Sequence, residues 1–90
     1  MTVIDQTYDK IILLTQGREG DCKFDGRFVA TRAAHELFGE LIVVAALGVV
    51  KKQVALKGGV DRLQVLDIDG RKLWIIDDGE IVTALLPEDY

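Results

Sequence analysis

The clearest hydrophobic pattern in the chain lies at residues 67–86, "DIDGRKLWIIDDGEIVTALL", where two Asp-Gly pairs separate three apolar runs. Short apolar runs parted by Asp-Gly predict antiparallel strands, because both residues tolerate the positive φ of a type I′ turn. A two-residue loop at Asp69-Gly70 pairs Ile68 with Arg71, Leu66 with Leu73 and Gln64 with Ile75. A second loop at Asp78-Gly79 pairs Asp77 with Glu80, Ile75 with Val82 and Leu73 with Ala84. Side chains alternate across a strand, so one face carries Leu66, Ile68, Leu73, Ile75, Val82, Ala84 and Leu86. The other carries Leu63, Val65, Trp74, Ile76, Ile81, Thr83 and Leu85, with Trp74 between Val65 and Thr83. Asp67 and Lys72 oppose each other on that second face as a cross-strand ion pair, and Asp77 against Glu80 is a like-charge mismatch. Both faces are apolar.

Upstream, the pattern changes period. "YDKIILLTQ" contains four consecutive apolar residues and predicts a strand at about 9–15, closed by the loop signal "TQGREGD". A helical stripe of Ile4, Tyr8, Ile11 and Ile12 is the alternative reading of 2–16. The loop at 17–26 either forms a small hairpin joining "CKF" to "RFV" or leads into the next helix. That helix is expected at about 27–38: Ala30, Ala34, Leu37 and Leu41 make its apolar row, and Arg32, Glu36 and Glu40 its polar one. Gly39 ends or kinks it. Residues 40–57 are apolar nearly all round, yet they begin after acids, end in Lys51, Lys52 and Lys57, and run into Gly58-Gly59. Acid first, base last and glycine beyond suit the helix dipole and a glycine cap, which favours a second buried helix. "LIVVAAL" as a central strand is the competing reading.

Together these elements predict a single α+β domain over 1–90: two helices packed on a C-terminal three-stranded antiparallel β-meander, with an N-terminal strand as a candidate addition. Leaving about six apolar side chains wet forgoes roughly 10 kcal/mol, at 1.5–3 kcal/mol each. Net stability of a small domain is only about 5–15 kcal/mol, so the second face should be covered. Either the helices pack on both sides, or a partner or second copy covers what they leave. The second option makes Leu63, Val65, Trp74, Ile76, Ile81 and Leu85 the candidate binding residues.

Composition narrows the partner. A net charge of −4 disfavours long-range attraction to nucleic acid. One cysteine, Cys22, excludes an intramolecular disulfide and a multi-cysteine zinc site. The start "MTVIDQTYDK" lacks a signal-peptide pattern, and the longest apolar run, "LIVVAALGVV", is too short to span a bilayer. A soluble cytoplasmic protein without membrane contact is the expectation.

Catalytic constellations are sparse. His35, the one histidine, has no orienting carboxylate a helical turn away. The acids of "DIDG" and "DDGE" lack EF-hand spacing and suit turns better, while "GREGD" lacks the Lys-Ser/Thr of a phosphate loop. No metal or cofactor is expected.

An N-terminal apolar strand, two helices and a meander ending "RLQVLDIDGRKLWIIDDGEIVTALLP" resemble the layout of RelE/ParE-type toxins and related small EndoU/RelE-like ribonucleases. "DGRFVATRAAHELF" also resembles a strand-to-helix segment with histidine in that group. The resemblance covers most of the chain and implies His35, Arg71 and Thr83 as positions of an RNA-cleaving site. The chain departs from such toxins in being acidic, with aspartates diluting the basic residues of its meander. Two functions are therefore expected in order: a small acidic, non-catalytic interaction protein, a regulator or inhibitor that binds a protein or its own copy; and, as alternative, a RelE-like ribonuclease.

Overall fold

The computed structural model of the protein describes residues 10–14 and 20–90. The elements run β1 (Ile11–Leu13), β2 (Arg27–Ala30), α1 (Arg32–Phe38), α2 (Glu40–Lys57), β3 (Leu63–Ile68), β4 (Arg71–Asp77), β5 (Ile81–Leu85) and a 3-10 turn, Pro87–Asp89. The strands form one sheet in the order β1-β3-β4-β5-β2. β1, β3, β4 and β5 pair antiparallel, and β2 lies parallel to β5. Among the described residues the fold is α+β with two helices, as expected, but the sheet is five-stranded and mixed, not a three-stranded antiparallel one.

The added strand corrects the first helix. Residues 27–30 pair with β5, Phe28 opposite Val82 and Ala30 opposite Ala84, instead of opening a helix. Without β2 the outer edge of β5 would leave its backbone groups unpaired; here Arg27 donates its N–H to the Glu80 carbonyl and Thr31 donates to that of Ala84. Gly26 lets this edge approach, since a Cβ there would sit 2.4 Å from the Glu80 carbonyl oxygen. The helix starts only after Thr31, whose hydroxyl oxygen accepts the N–H of Ala34 as an N-cap and donates to Asp89 Oδ2. "CKF" does not pair with "RFV": Cys22 bridges Val60 through two backbone hydrogen bonds. The strand expected at 9–15 forms over its centre. The alternative stripe's Ile4 and Tyr8, and Gly17 of the loop, lie outside the described residues.

α2 settles the ambiguity of 41–50 as helix. Glu40 opens it and Gly58 caps it in the left-handed conformation, donating its N–H to the Val54 carbonyl. α1 and α2 meet at 102° across Gly39. Val43, Ala46 and Val50 of α2 and Ala34 of α1 join one core with Leu66, Leu73, Ile75 and Val82 of the sheet. Both helices therefore cover the same sheet face. Across that face Leu66, Ile68, Leu73, Ile75, Val82, Ala84 and Leu86 are all buried, as their alternation predicts. The molecule measures 31 × 30 × 21 Å, the short dimension being that of two layers.

The β3–β4 hairpin has the expected register, and Asp69 (φ 55°) and Gly70 (φ 87°) supply the two left-handed residues of its turn. The β4–β5 register is displaced by two residues. Asp77 pairs with Val82, Ile75 with Ala84 and Trp74 with Leu85, so Trp74 stands between Val65 and Leu85, not Thr83. Asp78 is the reason: its Oδ1 accepts the N–H groups of both Glu80 and Ile81, which widens the turn beyond the two-residue form. An even displacement leaves every side chain on its predicted face. It also removes the Asp77–Glu80 mismatch, because Asp77 is buried and its two oxygens accept the N–H groups of Phe24 and Gly79.

Candidate binding face

The second sheet face is built by alternation from all five strands. Ile12 of β1, Val65 of β3, Trp74 and Ile76 of β4, and Ile81 of β5 point away from the helices, while Ile11, Leu66, Ile75 and Val82 point towards them. Among the described residues no helix or strand layer lies over this face. Leu63, Val65, Trp74, Ile76 and Thr83 are half-buried, Ile81 is exposed, and Leu85 alone of the candidate set is buried. Trp74 occupies the middle of the central strand. Its ring meets Tyr90 edge-on, centroids 5.6 Å apart at 61°. Lys72 Nζ lies 3.1 Å from Asp67 Oδ2, forming the predicted ion pair near one border of the face.

Sequence reasoning missed two contributions. Ile12 and Leu14 are 55% and 47% exposed, because "IILL" is a half-exposed edge strand and not a run buried on both sides. Val29 joins the face through β2, which the helical reading hid. Alternation of Ile11 and Leu13 against Ile12 and Leu14 was the available signal for the first.

The positions implied by the toxin resemblance do not converge. His35 is exposed on α1, on the helix side of the sheet. Arg71 starts β4 and lines a cleft of about 350 Å³ with Leu37, Phe38 and Ile42. Thr83 alternates with the helix-covered Val82 and Ala84, which puts it on the opposite face. Among the described residues no group of three or more His, Cys, Asp or Glu is placed to hold a metal ion. The aspartates of the two turns instead bind backbone: Asp67 Oδ1 accepts the Gly70 N–H, and Asp78 those of Glu80 and Ile81. Cys22 is half-buried; burial pushes its thiol pKa up, and Asp77, Asp21 and Asp61 push it further. That environment suppresses the thiolate and with it nucleophilic chemistry.

Asp67 and Asp78 titrate below the ordinary aspartate range. Backbone N–H donors are the leading cause in both, from Gly70 and from Ile81 respectively, with Lys72 assisting at Asp67. A carboxylate whose folded pKa is depressed stabilises the fold fully above its unfolded pKa of ~3.9 and loses that contribution as pH falls through the folded value. Urea midpoints should thus be level from neutral pH down to about pH 5 and drop below about pH 4. Asp67→Asn should flatten part of that drop; an unchanged acid limb would remove the turn carboxylates as its cause.

No protein-family model, curated protein or solved structure matches the chain. Among the described residues no single helix is long and apolar enough to cross a membrane; α1 and α2 reach that length and composition only as a pair, bent by 102°.

Proposed function

We propose that the protein is a small non-catalytic interaction module that binds another protein chain through the sheet face that lies away from its two described helices. The observation that carries this reading is that, among the described residues, both helices lie on one side of the sheet and none covers the apolar face with Trp74 at its centre. Ile12, Leu14 and Ile81 are exposed on it beside the half-buried Val65, Trp74 and Ile76, and contiguous apolar surface that reaches solvent marks interaction sites. Tryptophan near the middle of such a surface is the residue type that most often dominates binding energy. The ribonuclease alternative gains no comparable support, because His35 and Thr83 stand on opposite sides of the sheet.

A binding face and a folding core respond differently to charge. Ile76→Lys, on the face away from both described helices, should leave far-UV circular dichroism unchanged and alter stability by less than about 1 kcal/mol, the scale of changes at partly exposed strand positions. Ile75→Lys, one residue away and fully buried, should prevent folding. Unfolding by Ile76→Lys would mean that the face belongs to the protein's own core, and would end the proposal.

A further inference from the structure

We infer that Gly39 is a hinge across which two copies of this chain exchange everything before it, α1 and α2 straightening into one helix in the exchanged form. The inference is independent of the binding face proposed above.

Gly39 is the single residue between the two helices, closing α1 and opening α2. Its φ of 84° and ψ of 158° lie in a region that residues with a Cβ rarely adopt. A Cβ added there would meet nothing within 4 Å, so a side chain at this position acts through the backbone and not through a clash.

Straightening completes a broken ladder. The last helical bond of α1 runs from the Gly39 N–H to the His35 carbonyl, and the first of α2 from the Val43 N–H to the Gly39 carbonyl. The carbonyls of Glu36, Leu37 and Phe38 and the N–H groups of Glu40, Leu41 and Ile42 fall outside both ladders. No side-chain hydrogen bond caps the start of α2. One helix from Arg32 to Lys57, ~39 Å long, would pair Glu36 with Glu40, Leu37 with Leu41 and Phe38 with Ile42. It would also set Leu37, Leu41 and Val44 on one stripe at i, i+4 and i+7, the spacing that two helices bury against each other. In the bent form they are 41%, 57% and 52% exposed.

The sheet cannot stay whole within one chain while this happens. α1 is only ~10 Å long, and undoing its 102° bend swings its start by ~16 Å, against ~4.8 Å between neighbouring strands. Thr31 alone separates α1 from β2, so β2 leaves β5 with it. A second copy restores the same contacts between chains: β1 on β3, Phe28 beside Val82, the Phe24 N–H on Asp77 and the Thr31 hydroxyl on Asp89. Exchange in both directions closes at two copies.

Refolding the full chain at high concentration, followed by light scattering, tests this. The wild type should yield a minor, slowly dissociating two-chain fraction. Gly39→Ala should enlarge it by at least about 25-fold per hinge, from roughly 5-fold for helix propensity and 5-fold or more for the positive φ of the bent form. Chains carrying two different isotope labels, mixed before refolding, should show the Phe28–Val82 contact between labels. Glu40→Pro opposes the change: proline suits the first position of α2, but inside one helix it loses the bond to the Glu36 carbonyl and clashes with it. That variant should refold as a single chain only. A single-chain mass for folded Gly39→Ala at every concentration overturns the exchange. So does a dimer whose Phe28–Val82 contact stays within one chain, or a wild-type dimer that Glu40→Pro leaves in place. If Gly39→Ala does not fold, the wild type decides, and the absence of any two-chain fraction after concentrated refolding overturns the inference.

Discussion

Phe24→Ala should lower the unfolding free energy by about 3–5 kcal/mol, the usual cost of emptying a fully buried phenylalanine site. Phe24 has no exposed surface and is the largest of the completely buried side chains. It holds that place from a left-handed backbone, φ 54°, a conformation disfavoured for a bulky residue. Alanine must adopt the same backbone, so its introduction relieves little strain and removes the packing. Against a total of ~5–15 kcal/mol, the variant would stand near the limit of folding. Urea denaturation should show a much lower midpoint with an unchanged slope. A loss under about 1 kcal/mol would show that the site collapses around the missing ring.

Asp77→Ala should cost about 2–3 kcal/mol, through the backbone instead of the side-chain core. Asp77 Oδ2 accepts the Phe24 N–H at 3.0 Å and Oδ1 accepts the Gly79 N–H at 2.9 Å. One carboxylate thus ties the loop before β2 to the turn after β4. Its removal leaves the Phe24 N–H buried without an acceptor, the costlier half of a broken hydrogen bond. Amide exchange at Phe24 should accelerate more than at residues of β3, whose ladder is untouched. If Phe24 exchange is unchanged, the carboxylate is not what holds that loop. In a double-mutant cycle, Asp77→Ala and Phe24→Ala should be non-additive, since each weakens the loop that the other needs.

Local rules made some elements legible and long-range partners hid others. The β3–β4 register was readable because Asp69-Gly70 has one strongly favoured turn. The β4–β5 turn looked the same in sequence, but the Asp78 side chain can capture two N–H groups, and that choice shifted the pairing. α2 was readable from its ends and not from its faces, since Leu41, Val44 and Leu56 are exposed on an otherwise apolar helix. β2 was hidden because Ala30 and Ala34 continue a helical period by coincidence, while Phe28 and Val29 find their partners only in β5. For the candidate face, six of its residues were named from alternation alone; Ile12 and Leu14 carried the same alternation within "IILL", whereas Val29 required knowing that β2 borders β5.

The parallel pairing of β2 with β5 also sets an order of events. β5 is the last strand in the sequence, and Phe24 reaches Asp77 across 53 positions. Contacts that distant form slowly, because loop closure must precede any gain from them. During synthesis α1, α2 and the β3–β4 hairpin can assemble from near neighbours, whereas residues 27–30 have no strand to pair with until β5 has been made. A ribosome pausing before Ile81 would thus hold an unclaimed β2, an interval in which a chaperone has something to bind.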